Sequence, residues 1–286
     1  MWAPIFHDFD MKNPIGICAT LAGVHEKMTI VFNPNYAPAT VKAKTLDKDS
    51  QSPKIRTDQP AAPAFALDLR YERKGKKTQI SHLVVGPEGL GLQVDYMEKV
   101  ALPVVFLASR SRINAAEDAE RFGKLDVVGK QDEALAFLKI LEPKLKGLSS
   151  VTVGGTSLIH ADIGLSRKIP VAYTGDGMAR LLSIVLAIAT TPHGLVLIDE
   201  CENGIHHSVM PKVWEGIGRT ARAYDCQVIG TTHSYEYLTA ARDGFAGDLA
   251  KDFGYVRIDK IGDQTLAKSF DYESLAIALD ANMEVR

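Results

Sequence analysis

The alternation of strand and helix patterns over residues 171–286 limits the fold of this chain more than any other feature. An entirely apolar run, Leu195–Ile198, is typical of a central strand that is buried on both faces of a parallel sheet. A second short strand is predicted to begin at Gln227, and amphipathic helix patterns precede, separate and follow the two strands. Parallel neighbours require crossover connections, so this order predicts an α/β fold in which helices cover a parallel sheet.

Polar residues follow both predicted strands at the point where each strand ends. Asp199 and Glu200 come directly after the first strand, and the run 231–234, Thr-Thr-His-Ser, follows the second. If the strands are neighbours, these groups share the carboxyl edge of the sheet, where α/β proteins place their chemistry. An apolar strand that ends in two acids has the form of a Walker B element, in which the first carboxylate holds Mg²⁺ and the second polarises an attacking water. Loops after strands also use such residues as helix caps, which is the ordinary alternative.

A glycine-containing turn precedes the amphipathic helix that leads to the first strand. We refer to Thr174, Gly175, Asp176 and Gly177 as the glycine turn. Glycines let the backbone approach an anion closely, and the free N–H groups at a helix N-terminus favour phosphate. A Thr or Asp N-cap would explain the same residues without any ligand. Arg180, one turn further on, is interpreted as a solvated or ion-paired position rather than as a phosphate contact.

Composition excludes several classes of protein. The chain has 33 Lys and Arg against 35 Asp and Glu, a net charge of -2, so a nucleic-acid contact is expected to be local rather than to cover a wide basic face. Three cysteines are too few for a disulfide framework and fit reduced thiols. The apolar stretches are too short to span a membrane, and the sequence opens without a secretory leader pattern. These features predict a cytoplasmic protein without membrane association.

The chain is predicted to have three parts. Residues 1–105 form a β-rich lobe that includes a long exposed loop at 33–63, which is rich in Pro, Ala, Thr, Lys and Asp. Residues 106–170 form a helical arm with short strands, and helix patterns are predicted at 114–125 and 131–145. Residues 171–286 form the core that carries the glycine turn, the acidic pair and His233.

Three runs, 175–182, 195–206 and 227–236, resemble the ABC-type AAA family ATPases related to the OLD, RecF and SMC proteins. The resemblance extends more loosely over nearly all the chain. It implies a P-loop-NTPase-like fold, the ABC ATPase head, and ATP and Mg²⁺ as cofactors. It also implies a homodimer or a partner chain that completes the nucleotide site, with an effector protein or DNA as a further contact.

The resemblance also implies roles for individual residues. Asp199 corresponds to the Mg²⁺-associated carboxylate, Glu200 to the general base and His233 to the switch histidine. The glycine turn corresponds to the signature loop, which touches nucleotide held by the partner protomer. Residues 202–206 correspond to the loop that meets the partner across the dimer.

The chain departs from the family because it contains no Gly-rich loop ending in Gly-Lys-Ser/Thr. The segment Gly86–Gly91 has glycines at suitable positions but is followed by Leu and Gln and by a strand pattern, so it is interpreted as a turn. Without the lysine and the backbone cradle, nucleotide affinity is expected to be weak. Three explanations of the missing motif remain open. The reading frame was started late or truncated, another polypeptide supplies the P-loop, or the chain is a degenerate non-hydrolysing relative.

Two other functions compete with the ATPase interpretation. A nucleotide-independent, metal-dependent hydrolase is suggested by a dense set of ligand types, namely Glu200, Cys201, Glu202, His206, His207 and His233. The turn-forming pair Asn203 and Gly204 argues against a helical ligand motif there, and Cys201 also fits a small buried hydrophobe. The other alternative is a non-hydrolysing pseudo-ATPase that serves as an interaction scaffold.

Overall fold

The computed structural model describes residues 6, 10–21, 23–36, 64–86, 89–94, 103–109, 114–262 and 264–285. The chain divides into two compact units, Met1–Val100 and Ala101–Arg286. Residues 37–63, most of the predicted long loop, lie outside the described residues, as do Arg110 and the three residues after it.

The first unit contains a five-stranded antiparallel sheet in the order β1-β2-β3-β4-β5. Its strands are β1 (Ile15–Leu21), β2 (Val24–Tyr36), β3 (Ala64–Arg73), β4 (Gln79–Gly86) and β5 (Gly89–Val94). Strand β2 continues four residues into the segment predicted as a loop. Asn33 has a partner in β3, because its side chain donates to the Asp68 carboxylate at 3.2 Å, and Tyr36 is buried. The start of the predicted loop was therefore placed too early.

Strands β4 and β5, which flank residues 87 and 88, pair antiparallel. Gly86 pairs with Gly89, and Val84 pairs with Gly91. A phosphate-binding loop must instead lead from a strand into a helix. The expectation that a strand follows this glycine-rich segment is therefore confirmed, while residues 87 and 88 themselves lie outside the described residues.

The second unit is built around a three-stranded parallel sheet in the order β11-β10-β6. The strands are β6 (Val104–Leu107), β7 (Gly147–Val153), β8 (Thr156–Asp162), β9 (Ile169–Pro170), β10 (Leu195–Ile198), β11 (Gln227–Gly230), β12 (Gly254–Ile261) and β13 (Gln264–Asp271). The helices are α1 (Ala115–Val127), α2 (Gln131–Leu138), α3 (Asp176–Ala189), α4 (Met210–Ala223), α5 (Tyr235–Gly244) and α6 (Tyr272–Asp280). The α/β fold class with a parallel sheet and helices is confirmed.

Helix α3 is the centre of the core in this unit. Its residues from Met178 to Ala189 are all buried, and they pack with α1, α2, α4 and one face of the parallel sheet. On that face Val196 and Ile198 are buried, whereas Leu195 and Leu197 on the other face are only partly buried. Their neighbours Phe106 and Ile229 are 63% and 50% exposed. Strand β10 is thus central, as predicted, but only one of its faces is fully covered in the described part of the chain.

Helix α2 is shorter than the apolar periodicity predicts. It ends at Leu138, and the chain then turns so that Leu145 enters the core with an exposure of 1%. Pro143 lacks an N–H group and disfavours a helical residue before it, which explains why the periodic pattern does not continue as helix.

Candidate functional site

The three parallel strands end at one level, and their carboxyl edge gathers the polar residues that follow them. Ile198 pairs with Gly230 on one side and with Leu107 on the other. The prediction that the two apolar segments are neighbours in one parallel sheet is therefore confirmed. The chain leaves this edge at three places, through Ser109, through Asp199 and through Thr231.

Asp199 is held at this edge by hydroxyl groups from both neighbouring strands. The Ser109 hydroxyl donates to Oδ2 at 2.8 Å, and the Thr231 hydroxyl donates to Oδ1 at 2.8 Å. These two hydrogen bonds, with that from Ser109 the larger, hold the pKa of Asp199 below its ordinary value because they stabilise the charged form. Asp199 is therefore a fixed, ionised carboxylate at neutral pH.

Thr231→Val is expected to raise the pKa of Asp199 towards the ordinary value of about 4, since it removes one of these donors. A lowered pKa stabilises the folded state above about pH 4, and this contribution is lost as the pH falls through the folded-state value. The variant should therefore show a weaker dependence of stability on pH on the acid side. NMR titration of the Asp199 carboxyl carbon measures the shift, and Thr239→Val on α5 is the matched control. An unchanged pKa would contradict the assignment of Thr231 as a donor.

Glu200 occupies a strained turn directly after Asp199. Its φ of 48° lies in the left-handed region, which costs a residue with a side chain about 1–2 kcal/mol. The conformation is supported by the Glu200 N–H, which donates to the Thr231 hydroxyl at 2.9 Å. The Asn203 amide donates to Oε2 of Glu200 at 2.8 Å. Asn203 thus orients this carboxylate, a role that the sequence did not reveal.

Arg180 connects α3 to the same edge of the sheet. Its guanidinium donates to the carbonyl oxygens of Asp199 at 2.7 Å and Ala108 at 3.3 Å. The residue is only 7% exposed. The expectation of a solvated or ion-paired position was therefore wrong, because the side chain satisfies backbone carbonyls where two strands end.

His233 reaches the site from the loop between β11 and α5. Its backbone N–H donates to Oε1 of Glu202 at 3.0 Å, and its side chain is exposed. The next residue, Ser234, caps α5 by accepting a hydrogen bond from the Tyr237 N–H. Ser234 is thus the N-cap of α5, whereas His233 does not cap the helix and lies at the surface beside the residues that follow β10.

The glycine turn packs against the segment that follows the acidic pair, which we call the connecting loop (residues 201–205). An ideal Cβ built on Gly177 would lie 2.4 Å from the Gly204 carbonyl oxygen. Gly175 is the N-cap of α3 with a φ of 120° and without a side-chain cap, while the Thr174 hydroxyl donates to the Val171 carbonyl at 2.7 Å. Side-chain capping therefore does not explain the glycine turn. Close backbone packing accounts for Gly177, and the positive φ accounts for Gly175.

The ligand types proposed for a metal-dependent hydrolase do not converge. No group of three or more His, Cys, Asp and Glu side chains is arranged to hold a metal ion in the part of the chain that the structure describes. Burial raises the pKa of the Cys201 thiol to about 12, so this thiol is protonated at neutral pH. The rings of His206 and His207 instead contact each other in a tilted arrangement, with their centroids 4.2 Å apart.

The residues at the edge of the sheet fit part of a Mg²⁺–nucleotide site. Asp199 is ionised and partly exposed, which suits a hydrated Mg²⁺, since this ion keeps several waters and takes one or two carboxylates. The 286 residues contain no Gly-Lys-Ser/Thr sequence, so the lysine that normally neutralises the β- and γ-phosphates is not among them. The described residues thus place two acids and the His233 loop at one edge of the sheet, and the sequence lacks the Gly-Lys-Ser/Thr motif.

Comparison with known proteins identifies one family. The sequence model described as "AAA domain, putative AbiEii toxin, Type IV TA system" matches residues 36–239, more than two thirds of the chain. No curated protein matches. Within the described residues, no helix is long and apolar enough to cross a membrane.

Solved structures of SMC heads are similar at low identity. The SMC head bound to the C-winged helix domain of ScpA has 11% identity and a TM-score of 0.42, and the match covers 77% of this chain and 78% of that chain. The SMC head domain from Thermotoga maritima has 11% identity and a TM-score of 0.36, with 75% and 77% covered. The Pyrococcus furiosus head, bound to the C-terminal domain of ScpA, has 9% identity and a TM-score of 0.40, with 79% and 82% covered.

Proposed function

The chain belongs to the family described as "AAA domain, putative AbiEii toxin, Type IV TA system", and from this premise we propose that it is an ABC-type ATPase subunit that acts as a nucleotide-driven switch. The observation that carries the proposal is the convergence of Asp199 and Glu200 with the loop of His233 at one edge of a parallel sheet. Ligands of α/β proteins bind at this edge.

Asp199 is proposed to hold the hydrated Mg²⁺ of Mg²⁺–ATP. Its two oxygens are oriented by hydroxyl donors from the neighbouring strands, so the carboxylate does not have to reorganise when it accepts hydrogen bonds from metal-bound water. When bound, Mg²⁺ offsets the negative charge of the phosphates. The position of Asp199 would determine where the Mg²⁺ lies relative to the phosphates.

Glu200 is proposed to act as the general base. The Asn203 amide holds Oε2, so we assign Oε1 as the oxygen that accepts the proton of the attacking water. The backbone at Glu200 is strained, and strain of this kind is concentrated at functional sites.

His233 and the glycine turn are proposed to contact phosphate oxygens. The imidazole of His233 is exposed and is available to donate a hydrogen bond to the γ-phosphate and to respond when that phosphate leaves. Gly175 and Asp176 are also exposed, as a contact with nucleotide held by another protomer requires. The phosphate cradle is proposed to come from residues outside these 286. The active form is proposed to be a homodimer or an assembly with a partner chain, in which the glycine turn of one protomer contacts nucleotide held by the other.

Titration with Mg²⁺–ATP tests this function directly. Saturable binding is expected in the high micromolar to millimolar range, because the charge-assisted contacts of a P-loop lysine are missing. Binding should weaken when Mg²⁺ is omitted and in Asp199→Asn, while the surface variant Asp225→Asn should bind like the wild type. No saturable binding at millimolar nucleotide, by the chain or by its assembly, would contradict the proposal.

Absence of the Gly-Lys-Ser/Thr sequence supports a second candidate, a non-hydrolysing pseudo-ATPase that serves as an interaction scaffold. This candidate keeps the fold and the dimer contact but assigns no catalytic role to Glu200. A chain that binds no nucleotide, alone or in its assembly, would favour it.

A further inference from the structure

Glu202 in the connecting loop links the segment after β10 to the segment after β11. Its Oε1 accepts a hydrogen bond from the His233 backbone N–H at 3.0 Å. The other oxygen, Oε2, is enclosed and has no hydrogen-bond partner among the described residues. The side chain therefore points into the protein towards the base of the His233 loop.

The surroundings of this carboxylate are buried. Tyr237 of α5 is 2% exposed and Cys201 is 1% exposed. Burial is the main reason why the pKa values of Cys201 and Tyr237 are raised, and the charge of Glu202 raises both further. The Arg180 guanidinium acts in the opposite direction and lowers both pKa values. Glu202 thus lies within electrostatic reach of α5 and of the arginine that binds the carbonyl of Asp199.

The connecting loop that carries Glu202 is anchored at several points. The Cys201 N–H donates to the Thr231 carbonyl at 3.0 Å. Gly230 leaves room for the Cys201 thiol, since an ideal Cβ there would lie 2.2 Å from Sγ. At the far end of the loop, Gly204 contacts the backbone of Gly177. An acceptor on a loop held in this way has little freedom to move, so its partner N–H is held as well.

From these contacts we propose that Glu202 is a positioning residue that fixes the backbone of His233 relative to the acidic pair. The hydrogen bond connects two loops that leave neighbouring strands, so a displacement of either loop is passed to the other. The consequence for catalysis rests on the proposed function, in which the imidazole of His233 contacts phosphate. The link between Glu202 and His233 does not depend on that function.

Three substitutions separate the parts of this role. Glu202→Gln keeps an acceptor oxygen and removes the charge. Glu202→Ala removes the acceptor, and Glu202→Met removes it while preserving most of the volume, which keeps the test valid if the alanine variant does not fold. Glu215→Ala, which breaks an exposed ion pair with Arg219 on α4, is the control for a general effect of losing a glutamate.

Hydrogen exchange at the His233 amide is the decisive measurement. Exchange is expected to be about 10-fold faster in the alanine and methionine variants, because one hydrogen bond protects this amide. In Glu202→Gln and in the control, exchange is expected to stay within about 3-fold of the wild-type rate. Exchange that is equally slow in all variants would overturn the proposal.

Steady-state ATP hydrolysis by the assembled protein tests whether positioning serves the reaction. Loss of the acceptor is expected to lower kcat by about 10- to 100-fold with KM within about 2-fold, and Glu202→Gln should restore most of it. Faster exchange with unchanged kcat would overturn the catalytic part. A wild-type assembly without turnover would refute the proposed function, and the exchange result alone would then decide the link between Glu202 and His233.

Discussion

Glu200→Gln is expected to abolish ATP turnover in an assembly of this protein that hydrolyses ATP, with kcat reduced by at least about 100-fold. The amide is nearly isosteric with the carboxylate but is too weakly basic to accept the proton of an attacking water. The Asn203 side chain can still reach the amide oxygen, so the turn after Asp199 should keep its structure. Binding of Mg²⁺–ATP should remain within a few-fold of the wild type, because Asp199 and His233 are unchanged.

Single-turnover hydrolysis and equilibrium binding, measured on the same preparation, separate these effects. Glu215→Gln on the exposed face of α4 is the matched control, since it makes the same chemical change away from the site. Turnover that survives in Glu200→Gln would remove Glu200 from the role of general base. A loss of binding equal to the loss of turnover would instead make it a ligand-binding residue.

Gly177→Ala is expected to lower the free energy of unfolding by about 1–3 kcal/mol. The new methyl group would lie 2.4 Å from the Gly204 carbonyl oxygen, and backbone atoms cannot yield as a flexible side chain does. The connecting loop must therefore move away from α3. Because that loop also carries Glu202, we expect the amide of His233 to exchange faster in this variant.

Gly123→Ala on α1 is the matched control for this substitution. It is also a glycine within a helix, and an ideal Cβ there has nothing within 4 Å. The gain in helix propensity should stabilise the protein by roughly 0.5–1 kcal/mol. Chemical denaturation of both variants gives the comparison. A Gly177→Ala protein as stable as Gly123→Ala would show that the glycine turn and the connecting loop do not pack as closely as described.

Local sequence patterns predicted the parts of the site that follow from chain chemistry. The run Leu195–Ile198 predicts a strand of the core sheet because it is entirely apolar, and the two acids directly after it are then expected at the carboxyl edge. The parallel pairing of β10 with β11 then brings Thr231 opposite Asp199, as the alternation of strands and helices indicated. The same reasoning identified the hairpin at Gly86 from its glycines and from the strand pattern that follows.

Patterns of this kind were less informative where burial depends on distant partners. Periodicity alone predicted that α2 continues to residue 145. In the structure the helix ends at Leu138, and the chain turns before Leu145 packs in the core. Composition predicted a loop at Asn33, which instead lies in β2, where it pairs with Ala66 of β3 and its side chain donates to Asp68. Arg180 was expected to be solvated or ion-paired, because nothing in its neighbourhood along the chain shows that its guanidinium donates to carbonyl oxygens at the ends of two strands.

Chain order alone was therefore enough to propose the acidic pair, the glycine turn and His233 as candidate site residues. Their fine positions depend on contacts between residues far apart in the chain, such as those of Thr231 with Asp199 and of His233 with Glu202. Such contacts arise only when strand register and loop packing are established. Hydrogen bonds require their atoms to lie within a few tenths of an ångström of the right distance, and no one-dimensional pattern specifies that.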